Sequence, residues 1–194
     1  VPMEGWTRHM TFQDTGLEWV PTSAHLPHKT SPFYYPATGI LGELYVISIG
    51  VGYTLPFEIF AAEWINSEQF ALKMNELNLE GVLFRPISLK PYYALKKGTE
   101  LHGVQIHITD LSKVKLTELQ FYFLEVNNIL HPDKKVFDIC EKSRWNMFDK
   151  VCGTDKIREK FTERYKFADI KDYWYEDLKK FKRKSQKYYL YPEK

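Results

Sequence analysis

Cysteine is nearly absent: Cys140 and Cys152 are the two thiols in 194 residues, and they form no C-x-x-C pair. Two thiols are too few for a disulfide framework or a structural zinc site. A single bridge and two buried free thiols both stay open. Charge of one sign is also scarce, because 27 Lys and Arg stand against 25 Asp and Glu, a formal net charge of +2. That excess makes no field that would draw in nucleic acid or an acidic membrane, so neither partner is expected. No apolar run is long enough to span a bilayer, and "VPMEGW" lacks the charged start and apolar core of a signal peptide. Its abrupt start reads as an interior segment of a longer protein, and a processed chain would look the same. Internal repeats and low-complexity segments are missing too.

What is present is apolar bulk. With 44% hydrophobic residues, of which many are aromatic (13 Tyr, 13 Phe and 5 Trp), the chain is too apolar for disorder and must fold. Aromatic rings serve as core filling and as platforms for sugars or bases, and composition does not separate the two uses.

Along the chain, "WVPTSAHLPHKTSPFYYP" is punctuated by Pro21, Pro27, Pro32 and Pro36, which predicts an irregular start. Such stretches carry function or wrap a neighbour. A short helix is expected in "YYPATGILGEL", then the turn "SIGVGYTLPFE". Asn66 precedes Gln69 by three residues, a capping-box pattern, and opens a helix through Phe70, Leu72, Met74 and Leu77 to about Asn78. "GVLFRPISLKP" and "GVQIHITDL" read as two strands that pair around the basic loop of Lys96, Lys97 and Gly98. "KLTELQFYFLEVNNILHP" is a long helix with Leu116, Leu119, Phe123, Val126 and Leu130 along one side, stopped by Pro132. After "RWNMFDKVCG", a short helix is expected from about Thr154 and a final one from Phe167 to Lys184. The basic run "KKFKRKSQK" falls late in that last pattern, where cations suit the negative end of the dipole, so a solvated face is expected. This mixture predicts an α+β (mixed α/β) fold: a small mixed β-sheet covered by helices, with a helical C-terminal end.

Few residues carry chemistry by spacing alone. Gly50 and Gly52 form a G-x-G, but no third Gly follows at the fingerprint spacing and no Lys-Ser/Thr pair follows, which argues against a phosphate loop. The glycines are expected to let the backbone turn. Glu58, two residues after Pro56, is expected in the first turn of a helix, where a carboxylate suits the dipole. Glu43 lies between a helical pattern and the glycine turn, a common place for an acid, a base or a hydroxyl acceptor. In "HGVQIHITD", Val104, Ile106 and Ile108 alternate with Gln105, His107 and Thr109, one face apolar and one polar. His102 and His107 are an odd number apart and point to opposite faces, which argues against a shared metal. Ser23, His25 and Asp14 could be imagined as a triad, but no nucleophile-elbow context supports it.

"MEGWTRHMTFQDTGLEWVPTSAHLP", "YYPATGILGE", "SIGVGYTLPFE", "GVLFRPISLKP", "HGVQIHITD" and the closing "YYLYP", in this order and spacing, closely resemble the C-terminal half of the exo-β-N-acetylmuramidase NamZ family of peptidoglycan hydrolases. The resemblance covers essentially the whole chain, so residues 1–194 are expected to be a single domain. It implies a missing N-terminal Rossmann-like domain that carries the family's proposed catalytic Glu, and therefore a chain inactive by itself.

Many members read Glu-Gly-Thr-Asn, then Ser-x-Gly-Arg-Gly-Thr, then Pro-Phe-Glu. Here Glu43 matches the first Glu, Ser48 the Ser, and Pro56, Phe57 and Glu58 the end. Val46 replaces the usual Asn, Val51 the usual Arg, and Ala24-His25 a common Pro-Asn. Gly103, Val104, Gln105, His107, Thr109 and Asp110 stand as in the family.

The resemblance implies a substrate-cleft domain of a glycoside hydrolase that releases terminal N-acetylmuramic acid from peptidoglycan fragments, in the periplasm or outside the cell. Glycoside hydrolysis by the usual route needs two carboxylates. Glu43 is the candidate for the one this half supplies, or for an orienting role. Ser48, Tyr53, Arg85, Gln105 and His107 are the candidate substrate-binding residues, with Arg85 replacing the family's Arg opposite the lactyl carboxylate. Trp19 and Tyr53 could stack on a pyranose ring. No cofactor and no metal are indicated. The alternative is an inactive glycan-binding or domain-docking module, favoured by Val46 and Val51.

Overall fold

A computed structural model describes residues 2–193. Its centre is a three-stranded antiparallel sheet in the order β1-β3-β2, made of β1 (Ile59–Ala62), β2 (Val82–Leu89) and β3 (Leu101–Ile108). The pairing of β2 with β3 matches the sequence expectation, with Arg85 opposite Gln105 and Leu83 opposite His107. β1 was not anticipated. Its four residues are all buried, so they show no alternation for a sequence pattern to reveal.

The apolar face of the sheet is covered by helices. α2 (Ser67–Glu76) starts where Asn66 Oδ1 accepts the Gln69 N–H at 3.0 Å, and α3 (Leu116–Leu130) ends before Pro132. Phe123 of α3 stacks on Phe60 of β1 at 5.0 Å and meets Phe84 of β2 edge-on at 5.6 Å, while Phe70 of α2 stacks on the other side of the cluster, 5.2 Å from Phe60. Each buried ring contributes about 1.5–3 kcal/mol of transfer free energy. Buried Asn127 ties down the end of α3: its side chain accepts from Trp64 Nε1 and donates to the Lys134 carbonyl, so both ends of its amide are satisfied.

α1 (Ser31–Gly42) packs against α3 and begins earlier than expected, because Pro32 sits at the start, where its missing N–H costs nothing. The N-terminal stretch is irregular as expected, apart from one 3-10 turn at Phe12–Thr15. Beyond α3 come α4 (Val136–Ile139), α5 (Trp145–Cys152) and α6 (Lys156–Arg164). The expected single helix over Phe167–Lys184 is instead three pieces: a 3-10 turn at Phe167–Asp169, α7 (Lys171–Tyr175) and α8 (Leu178–Ser185). Tertiary packing breaks it. Phe167 and Trp174 both pack on Phe121, and Tyr175 donates to Glu118 Oε1 at 2.5 Å, which turns the chain before α8. α8 carries the basic run with Lys179–Lys184 exposed, the solvated face that was expected. Cys140 and Cys152 are free thiols.

Candidate functional site

The site begins with a tight loop. Gly50 and Gly52 adopt φ of +86° and +95°, and a Cβ on either would come within 2.0 Å of a carbonyl oxygen, that of Leu55 or Tyr93. Only glycine lets the chain fold back so closely. At the end of the loop Phe57 takes φ of +69°, a left-handed conformation that costs a non-glycine residue about 1–2 kcal/mol. It is held there by its N–H on the Ile49 carbonyl at 2.7 Å and its own carbonyl on Thr38 Oγ1 at 2.9 Å.

That turn delivers Glu58 to the edge of the sheet. Glu58 is in no helix, contrary to the expectation. It directly precedes β1, and its carbonyl accepts the Ile106 N–H at 2.8 Å. Pro56 and the glycines of the loop close a turn rather than start a helix, so the dipole argument does not apply. The Glu58 side chain is 7% exposed, and its carboxylate accepts from Gln105 Nε2 at 3.3 Å. Gln105, itself 8% exposed, accepts on Oε1 from Arg85 Nη2 at 2.7 Å. Arg85, Gln105 and Glu58 thus form one hydrogen-bonded chain.

Electrostatics follow from burial. Desolvation raises the Glu58 pKa above the ordinary carboxylate value, against the opposing pull of the Gln105 amide and of His28. The Tyr34 hydroxyl is raised by burial and by the Glu58 charge. His107 is lowered by burial and by the Arg85 cation, which favours the neutral imidazole. Paired positions share a face, so Leu83, Arg85, Gln105 and His107 lie together on the side of the sheet opposite the Phe60 core.

The remaining candidates go elsewhere. Glu43, at the end of α1, and Ser48 line a separate concavity of about 200 Å³ with Tyr35, Val51 and Phe57. Ser48 is buried there, bridges Ala61 through its backbone and accepts the Gly50 N–H on Oγ at 3.4 Å. A second hollow of about 360 Å³, lined by Ser23, Leu26 and Pro32, shares His25, Tyr35 and Phe57 with the first. Tyr53 stacks on Tyr92 at 6.4 Å and packs on Ile59, Ala61, Leu89 and Leu101. Trp19 is held by Leu26 and Phe12. The imagined triad does not form: Asp14 takes both the N–H and the hydroxyl of Thr11, while His25 stacks on Tyr93. Among the described residues no group of three or more His, Cys, Asp or Glu could hold a metal ion, and no helix is long and apolar enough to cross a membrane.

Reading the sequence as a pattern gave Glu58 a structural role only and missed Tyr34 and His28. For Glu58 a signal existed, since it closes the Pro-Phe-Glu segment next to the glycine turn. Tyr34 and His28 sit in a proline-punctuated stretch without periodicity and gave none.

A family described as "Exo-beta-N-acetylmuramidase NamZ, C-terminal" matches residues 33–191. The chain is 34% identical over 191 residues to "Peptidoglycan beta-N-acetylmuramidase NamZ" of Bacillus subtilis (strain 168), covering 98% of this chain and 45% of that protein. A crystal structure of a DUF1343 family protein from Bacteroides fragilis NCTC 9343 superposes with a TM-score of 0.93 at 52% identity, over 96% of this chain and 49% of that one. The chain therefore spans about half the length of the relatives it matches. With the family match extending over most of its length and both relatives agreeing, this chain belongs to the exo-β-N-acetylmuramidase NamZ C-terminal family.

Proposed function

We propose that this chain is the substrate-cleft half of a peptidoglycan glycosidase that releases terminal N-acetylmuramic acid. The observation that supports the reading is the Arg85–Gln105–Glu58 chain on the sheet face opposite the main core, with His107 beside it. In this reading residues 1–194 are one domain, and an N-terminal Rossmann-like domain closes over that face and brings the second carboxylate. Arg85 takes the lactyl carboxylate, for which a planar guanidinium is suited, and His107 and Gln105 face the sugar's hydroxyl or acetamido groups. Glu43 stays the candidate carboxylate of the neighbouring concavity, with Ser48 and Tyr53 as accessory contacts. The enzyme works on cell-wall fragments in the periplasm or outside the cell.

A non-catalytic glycan-binding or docking module is the second reading. It is favoured by Val51, which lines the Glu43 concavity with an aliphatic group.

The test is release of N-acetylmuramic acid from a chromogenic glycoside, by this chain and by a longer form carrying the half that the relatives have in addition, each beside a Glu43→Gln control. Turnover by the longer form alone, reduced by Glu43→Gln, is the expected result. No turnover and no sugar binding by either form would overturn the glycosidase reading in favour of a docking module.

A further inference from the structure

Gln105 lies between two unlike partners. A carboxylate only accepts hydrogen bonds and a guanidinium only donates them. The amide nitrogen therefore faces Glu58 and the amide oxygen faces Arg85, as the two bonds at 3.3 and 2.7 Å show. Turning the amide over would set oxygen against oxygen and N–H against N–H. Both Gln105 and Glu58 are more than nine-tenths buried, so neither can exchange its partner for water without leaving a stranded polar group. The carboxyl fixes the amide, and the amide fixes the guanidinium.

Arg85 is the exposed end of this chain. One of its N–H groups is used by Gln105, and among the described residues no carboxylate pairs with it. Its diagonal neighbour across the strand pair, His107, which lies opposite Leu83, has its pKa lowered by burial and by this cation, which favours the uncharged ring. A cation held by a neutral amide keeps its full charge and four free donors for an external anion.

We propose that Glu58 and Gln105 are positioning residues whose role is to aim the Arg85 guanidinium at a carboxylate of the bound sugar. This rests on the glycosidase reading above and adds to it the two buried residues that pre-organise the receptor. Glu58 acts through Gln105 and transfers no proton.

The experiment uses the longer form and compares a chromogenic N-acetylmuraminide with the matching N-acetylglucosaminide, which lacks the carboxylate. Arg85→Gln, Gln105→Leu and Glu58→Leu are each expected to raise KM for the muraminide by about tenfold or more while kcat moves less than about threefold, the pattern of lost ground-state binding. Glu58→Gln keeps an acceptor for the Gln105 amide and is expected to stay near wild type. The glucosaminide, which lacks the carboxylate, should be indifferent to Arg85→Gln. A loss of kcat in Glu58→Gln as deep as that in Glu58→Leu would show proton transfer and overturn the positioning role. An unchanged KM in Arg85→Gln, an exposed substitution that leaves the core intact, would overturn the receptor. If the wild type does not cleave, calorimetric titration with free N-acetylmuramic acid reads the same losses as changes in Kd. Binding without cleavage then fails only the glycosidase reading, whereas no binding at all overturns both.

Discussion

The Arg85 guanidinium donates to Gln105 Oε1 at 2.7 Å from directly across the β2–β3 pair, so strand register itself sets the contact. A slip of one residue would send Gln105 into the core and leave Arg85 without its acceptor. The same register places Phe84 opposite Ile106 on the buried face, which makes slippage costly on both sides.

Glu58→Gln should change how stability depends on pH. The folded-state pKa of Glu58 is raised, so the wild type is favoured below the ordinary value of 4.5 and loses that advantage as pH rises through the folded value. A neutral Gln has no such dependence. In urea unfolding from pH 4 to pH 8 the variant should gain on the wild type as pH rises; a constant difference would mean that burial does not perturb this carboxyl.

Gly50→Ala should destabilise the loop that presents Glu58. At φ of +86°, with the Leu55 carbonyl 2.0 Å from the added Cβ, the loop must rearrange, at a cost of more than about 1 kcal/mol. Denaturant midpoints give the value. A variant as stable as the wild type would contradict the left-handed turn.

Phe123→Ala removes the ring that joins α3 to β1 and β2, and should cost about 3–5 kcal/mol. Leu72, 63% exposed on the outer side of α2, should tolerate Ala within about 0.5 kcal/mol. Comparable losses at the two positions would place the core elsewhere.

Cys152 should be a slow thiol. Burial, reinforced by the Asp149 charge, pushes its pKa up to about 12, so little thiolate exists at pH 8. Alkylation of the native protein should run more than about tenfold slower than that of the urea-unfolded chain. Equal rates would show the thiol to be open to solvent.

Wherever hydrophobic period and turn chemistry agreed, local structure was legible in the residues. The alternation of Val104 and Ile106 with Gln105 and His107, the Asn66 cap and the Pro132 stop all operate over a few residues, and the strand pair and both main helices stand where these signals put them. The polar face of β3 was legible as polar, and Arg85 and Gln105 were candidates before their contact was visible. β1 was not, because a strand buried on both faces has no period. The broken C-terminal helix was not, because its interruption comes from Phe167, Trp174 and Tyr175 reaching α3 across the fold.

Glu58 separates the two levels most clearly. Sequence alone determined that a carboxylate follows Pro56 and Phe57 beside a pair of glycines, and that the chain would build an α+β core around its aromatic residues. Whether that carboxylate capped a helix or entered the sheet was decided only in three dimensions. The left-handed turn at Phe57 and the pairing of Glu58 with Ile106 brought it to Gln105, 47 residues along the chain, where loss of water, a nonlocal property, raised its pKa.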